Sequence, residues 1–287
     1  MDLCTGCDIN TFEIASICTD RESALNFLSV HKVLNINYTC PKCLSVLKLS
    51  SRNQFRCDKV KRDSKGKAER CRVQVSAFKG TWFERSCLSI EKILHLCWWF
   101  TVGRLTQEEV SSFVGVSAHT VNDWYRLCHE VVLHHVKGTS TQVGGVGKVV
   151  EICEARFGKR KNGEERLLEG VWVLGGLERQ SERTFMVPVP DRTKETLVVQ
   201  IREWILPGTK IISDSNLEVE GYSHEKSNHP LNYGRKDRVS DKNLAFYFFR
   251  KKYPDPAQRF HVFMCAVAAL YPPPVSPAED DDIDTST

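Results

Sequence analysis

Between Val149 and Asp214 the chain spells out strand, strand, strand, helix and strand, the last ending on an acid, and few folds accept that order. Val149 to Phe157 reads as a first strand and Gly170 to Arg179, with Val171, Trp172, Val173 and Leu174, as a second. Thr184 to Val189 is a third. Lys194 to Leu206 then sets Leu197, Val198, Ile201 and Ile205 on one helical face, and Pro207-Gly208 ends it. Lys210-Ile211-Ile212-Ser213-Asp214 is the fourth strand. Such a segment predicts an α/β domain with a mixed sheet.

That chain order is the order of an RNase H-like domain. In this fold metal-binding carboxylates lie on the first strand, at the end of the fourth and on a later helix. Two divalent ions held between them activate an attacking hydroxyl and stabilise the leaving oxygen of a phosphodiester. Magnesium suits such all-oxygen sites.

The N-terminal half is marked by cysteine. Twelve cysteines in 287 residues, behind an N-terminus (Asp2, Cys4, Cys7) that lacks the basic and apolar regions of a signal peptide, predict a reducing compartment. In that setting Cys serves as a metal ligand or a small buried hydrophobe. Cys40-Pro41-Lys42-Cys43 is a C-x-x-C knuckle, and Cys57 and Cys71 follow at equal intervals, so these four are expected to hold a structural zinc ion. The second pair is split by a Lys- and Gly-rich insertion, Lys59 to Lys67, where a zinc ribbon would use another tight knuckle. Cys4 and Cys7 form a further C-x-x-C with Cys18 nearby, but no fourth ligand is evident and a metal is not expected there. Cys87, Cys97, Cys128 and Cys265 stand in apolar, helix-like contexts and read as packing residues.

Between these halves lies a helical segment. Ser89 to Phe100 is a largely buried helix, and Leu105 to Val131 reads as two helices joined at Gly115-Val116-Ser117. Thr106 with Glu109 makes a capping box, Ser117 caps the next helix, and Gly115 permits a left-handed turn. Val110, Phe113, Val116, Val121 and Trp124 are expected to form the shared core. Arg104, His119, Thr120, Asn122, Asp123 and Arg126 are left facing outward. This is the pattern of a helix-turn-helix whose second helix enters a major groove, although a plain helical hairpin fits it as well. A net charge of +4 conceals eight Lys/Arg in residues 56–72, a basic face suited to a polyanion, to nuclear import or to solvent, and an Asp-rich tail from Pro272 onward that is expected to be disordered. No apolar stretch is long enough to span a bilayer.

Taken in order, Cys40 to Cys43, Gly80-Thr81-Trp82-Phe83-Glu84-Arg85-Ser86, Val121-Asn122-Asp123-Trp124-Tyr125, Val150 to Glu154 and Phe157-Gly158-Lys159-Arg160-Lys161 form the first part of a recognisable set. Trp172 to Gly176, Asp191-Arg192-Thr193, Pro207-Gly208-Thr209, Ile212-Ser213-Asp214 and Gly221-Tyr222-Ser223-His224 complete it. Over residues 25–272 the chain resembles the zinc-ribbon DDE transposases of the ISXO-like group, called the Merlin superfamily in eukaryotes. The resemblance implies a cut-and-paste transposase that binds double-stranded DNA at terminal inverted repeats, uses magnesium on its RNase H-like domain and acts in the nucleus. A homo-oligomer is an open possibility, and no membrane partner is expected.

The resemblance also predicts two lesions. It implies Asp at the position of Cys153; Glu151 points to the same side of the strand but lies about 7 Å away along it. Asp214 matches the second metal-binding acid. The third belongs to a longer stretch than the Pro230 to Asn243 segment of this chain, where Asp237 and Asp241 stand in no recognisable context. Residues after Asp214 (Ser215, Asn216, Leu217) also depart from the pattern. The expectation is therefore a transposase-like protein impaired in metal-dependent strand transfer. A non-catalytic DNA-binding protein and a gene model lacking an exon remain open alternatives. The expected layout is an N-terminal extension (1–35), zinc ribbon (36–85), helix-turn-helix segment (86–137), linker (138–147), RNase H-like domain (148–272) and acidic tail (273–287).

Overall fold

The computed structural model describes residues 4–62, 68–156, 172–214, 218–227 and 241–274. In chain order the elements are α1 (Thr11–Ile17), α2 (Arg21–Val30), β1 (Asn37–Thr39), β2 (Val46–Lys48), β3 (Gln54–Cys57), β4 (Val60–Arg62), β5 (Ala68–Arg70) and β6 (Val73–Ser76). Next come α3 (Ile90–Val102), α4 (Gln107–Val114), α5 (Ala118–Gly138), β7 (Val143–Gly144), β8 (Val149–Arg156), β9 (Trp172–Glu178), β10 (Thr184–Val189) and α6 (Lys194–Trp204). The chain closes with β11 (Ile205–Leu206), β12 (Lys210–Ser213), β13 (Ser223–Lys226), α7 (Asp241–Lys252) and α8 (Pro256–Leu270). Two compact units result, Met1–Tyr125 with Pro256–Thr287, and Arg126–Asp255.

The first unit is discontinuous, because α8 returns to it from the far end of the chain. α8 buries Phe260, Phe263, Met264, Ala266 and Val267. Phe260 stacks on Phe27 of α2 at 5.8 Å and meets Trp98 of α3 edge-on, while Phe263 contacts Trp82. Buried aromatic side chains of this size contribute about 2–3 kcal/mol each. Arg259 donates from Nη1 to the Thr101 carbonyl at 2.7 Å, placing a cation at the C-terminal end of α3, where the helix dipole favours it.

Three antiparallel hairpins, β1-β2, β3-β6 and β4-β5, lie between α2 and α3. The helices that follow start on the caps read from sequence. Ser89 caps α3, and Thr106 and Glu109 form a reciprocal capping box on α4. Gly115 takes φ +65, and the Ser117 hydroxyl accepts from the Thr120 amide at 3.1 Å. The expected core needs one correction. Val110, Val121 and Trp124 are buried, yet Phe113 is 70% exposed and Val114 is buried in its place. The i, i+4 pair Val110 and Val114 faces inward, leaving Phe113 to stack on Trp99 at 5.9 Å.

The second unit is built on a five-stranded mixed sheet in the order β10-β9-β8-β12-β13. The β10-β9 and β9-β8 pairs are antiparallel; β8-β12 and β12-β13 are parallel. One face packs Val150, Ile152, Leu174, Phe185, Val187 and Ile211 against Leu197 and Ile201 of α6. The other face receives α7, whose Leu244 and Phe248 close on Gly175. Ile205 and Leu206 leave the helix expected for them and form β11, pairing in parallel with β7. That pairing builds Val143 and Gly144 of the Gly-rich stretch 138–147 into the unit.

Candidate functional site

The cysteine groups are the most sharply defined sites. Cys40 and Cys43 lie in the turn between β1 and β2, where Leu44 takes φ +57 and its amide donates to the Cys40 carbonyl at 2.8 Å. Cys57 ends β3, and Cys71 precedes β6. The insertion between them folds back as the β4-β5 hairpin, and the Cys71 amide donates to the Lys59 carbonyl at 2.9 Å. A pair split in sequence is thus reunited in space by a hairpin inserted into the knuckle. The four Sγ atoms lie within 4.8 Å of one another, Cys40, Cys57 and Cys71 are buried, and Cys43 Sγ stands 3.5 Å from Cys57 Sγ. An edge of a zinc–thiolate tetrahedron is about 3.8 Å, so this donor set fits zinc. The Ser45 hydroxyl and amide lower the Cys43 thiol to about 6, whereas burial and then the Cys43 and Cys57 sulfurs push Cys71 up to about 12. Sulfurs this close ionise together only beside a cation.

A second group forms where no metal was expected. Cys4 and Cys7 converge with His31 and His261, one ligand atom of each lying within 4.8 Å of the others. Cys18 is not a member. Two further cysteine readings are corrected as well: Cys97 and Cys128 are buried packing residues, but Cys87 and Cys265 are exposed. Cys265 follows His261 by one turn of α8 and lies 3.6 Å from its Nε2. No disulfide joins any of the twelve cysteines.

At the sheet, alternation along β8 places Val150 and Ile152 in the α6-side core, with Glu151 and Cys153 on the α7 side. Glu151 is 7% exposed, and its Oε1 accepts from Arg179 Nε at 2.5 Å, so the carboxylate is already engaged by a guanidinium. Tyr247 of α7 lies on this face, its phenol pushed up by burial and by the Glu151 charge. Cys153 is half-buried, pairs across the ladder with Gly175, and has its Sγ 3.6 Å from the Glu154 carbonyl. Glu154 turns the other way to an ion pair with Arg192, whose guanidinium sits over Trp172.

Ile212 pairs with Glu151 at the end of the parallel β12-β8 ladder, and Asp214 follows two residues later, just beyond β12. Asp214 is exposed at the end of β12. The preceding Ser213 shares a 2.8 Å hydrogen bond with Nε2 of His224 on β13, a ring whose pKa is lowered by burial and by Lys226. Among the described residues, neither group of four that can hold a metal includes Glu151, Cys153 or Asp214. Asp237 lies outside the described residues, as do Ser215, Asn216, Leu217 and the acidic tail beyond Pro274. Asp241 opens α7, with its side chain likewise outside.

Of the outward residues near the helical turn, Arg104, His119, Asn122 and Arg126 are exposed. His119 pairs with Asp123 at 3.3 Å, and the Thr120 hydroxyl shares a 2.9 Å bond with Ser117 in the cap. Asn122 and Arg126, four residues apart on α5, fall on one side of that helix. Among the described residues no helix is long and apolar enough to cross a membrane.

Residues 133–251 match the family model described as the ISXO2-like transposase domain. The match spans every strand of the five-stranded sheet, with α6 and most of α7. No curated protein and no solved structure matches the chain.

Proposed function

We propose that this chain, whose residues 133–251 form an ISXO2-like transposase domain, is a transposon-derived DNA-binding protein impaired in the metal-dependent strand transfer of its class. The sheet order β10-β9-β8-β12-β13, antiparallel on one side of β8 and parallel on the other, supports an RNase H-like reading. The observation that carries the impairment is on β8, whose α7 side presents Cys153 and the Arg179-bound Glu151 where the resemblance implies a metal-binding Asp. Magnesium takes hard oxygen ligands, and a thiol is a poor substitute. Glu151 is held by Arg179, which a metal would have to displace. The described donors at this position therefore do not fit a two-magnesium centre.

DNA binding is assigned to α4, the Gly115 turn and the first turns of α5, whose caps are those of a helix-turn-helix. Asn122 and Arg126 are the residues placed to meet bases or phosphates, with Arg104 and His119 beside the turn. The Cys40, Cys43, Cys57 and Cys71 group holds a structural zinc that pins the hairpins of a zinc ribbon. Terminal-repeat DNA is the substrate class, and the nucleus is the compartment that the reading implies.

The test is one assay with two readouts on the full chain and terminal-repeat duplexes. Binding is expected to fall as salt rises and to weaken about 10-fold or more in Asn122→Ala, the loss expected of one base-edge contact. Cleavage with magnesium or manganese is expected to be absent. Metal-dependent cleavage that disappears in Asp214→Ala would overturn the impairment, and absence of any duplex binding would overturn the DNA assignment.

A further inference from the structure

The second cysteine–histidine group has the dimensions of a metal site, and the surrounding fold aims it. Cys7 Sγ lies 3.3 Å from His31 Nε2 and 3.3 Å from His261 Nδ1, and Cys4 Sγ lies 3.6 Å from His261 Nδ1. The two ring nitrogens are 3.2 Å apart. Zinc bonds of about 2.3 Å to sulfur and about 2.05 Å to nitrogen give tetrahedral edges of about 3.6 Å (S to N) and about 3.3 Å (N to N). The observed separations track those edges.

The ring orientations agree. His31 is buried, and its Nδ1 is bound to the Phe27 carbonyl at 2.8 Å, one turn back in α2. A carbonyl only accepts, so Nδ1 carries the proton and Nε2 presents its lone pair to the group. This is how the partner of a ligating imidazole fixes its tautomer. His261 likewise turns Nδ1 inward while its Nε2 meets Cys265. A set of ordinary hydrogen bonds accounts for the arrangement less well, because Nδ1 of His261 faces two sulfurs and a second acceptor nitrogen at once.

Contacts outside the four ligands also bring them together. The Cys4 amide donates to the Val30 carbonyl at 3.0 Å, which lays the start of the C-x-x-C loop against the end of α2, where His31 is the C-cap. Asn10, three residues after Cys7, then caps α1 with a reciprocal bond to Glu13. Phe260, next to His261, is packed between Phe27 and Trp98. Two thiolates and two neutral imidazoles make a neutral complex with a divalent cation, which suits a half-buried position.

We propose that Cys4, Cys7, His31 and His261 bind a second, structural zinc ion that fastens α8 to the N-terminal segment. The link ties residues 257 positions apart and closes the discontinuous first unit, adding to the apolar packing and the Arg259–Thr101 bond that hold its last helix. Metal binding of this kind adds directly to folding. The proposal is independent of any DNA-cleaving activity.

Zinc content and X-ray absorption of the reduced full chain provide the test. Two zinc ions per chain are expected, with an average shell of three sulfurs to one nitrogen, since one site offers four thiolates and the other two thiolates and two imidazoles. His261→Ala and Cys7→Ser should each remove one zinc and leave an all-sulfur shell. A single zinc with equal sulfur and nitrogen in the wild-type chain would also support the second site while removing the first. A wild-type spectrum with sulfur ligands only overturns the proposal without recourse to any variant. So does a nitrogen shell that survives His261→Ala.

Discussion

Glu178 shows how much one side chain can organise in this protein. Its carboxylate is fully buried at the end of β9, where Oε2 accepts from the Gly144 amide and from Arg183 Nη2, each at 2.8 Å. Burial alone would raise its pKa; the Gly144 amide, the Ser181 hydroxyl and Arg183 outweigh burial and hold it below the usual carboxylate range. Glu178→Ala would leave the Gly144 amide and a guanidinium without this acceptor, at an expected loss of about 3 kcal/mol in urea denaturation. Glu178→Gln keeps an acceptor and should lose less. Equal losses in the two variants would refute a role through these bonds. At this scale the sequence was informative about Cys153 and Asp214, because each stands in a strand with a clear period. It was silent on Glu178, an acid at the end of an apolar strand with no local signal that a distant amide would meet it.

At the scale of elements, β9 is shaped by its glycine pair. Gly175 lies under Phe248 and Leu244 of α7, and a Cβ on Gly176 would overlap the Phe185 ring from β10. Phe185 is fully buried and stacked on Trp204, so it has nowhere to swing. Gly176→Ala should therefore destabilise by about 2 kcal/mol, as overpacking does. Adding Phe185→Leu should return part of that loss if the clash is the cause; a purely additive double variant would place the cause elsewhere. Most elements were legible from periodicity and caps: α3, α4, β10 and the start of α6 fall where the pattern put them. The misses have local reasons. β11 was read as the last turn of a helix because Ile205 continues the apolar face of α6, and only pairing with β7 pulls it away. The β4-β5 hairpin looks like an insertion in sequence because β5 is exposed throughout, without the alternation that marks a half-buried strand.

For the whole molecule, acid should act on the second unit through a half-buried histidine. His135 in the second unit packs against Phe249 and Tyr253, and its Nε2 lies 3.1 Å from the Tyr253 hydroxyl. Burial, then Lys252 and His134, lower its pKa from 6.5 to about 4. A depressed histidine stabilises the neutral folded form, so this contribution is complete above pH 6.5 and is lost as pH falls towards 4. Between pH 7 and 5 the second unit is expected to lose about 1 kcal/mol, allowing for partial exposure of the ring. His135→Phe should flatten that part of the urea-midpoint profile. An unchanged slope in the variant would assign the acid sensitivity to other groups.

By itself the sequence determined the metal-ligand spacing of Cys40 to Cys71, the helix caps, the sheet segment that ends at Asp214 and the oddity of Cys153. All of these are written in short-range spacing, where residue order and backbone geometry are closely linked. Only the tertiary structure decided that Glu151 is held by Arg179 and that His31 and His261 join Cys4 and Cys7. The reason is separation along the chain. A histidine 257 residues from its partner leaves no periodic trace, and becomes a neighbour only when packing of the Phe260 and Phe263 aromatics returns α8 to the first unit.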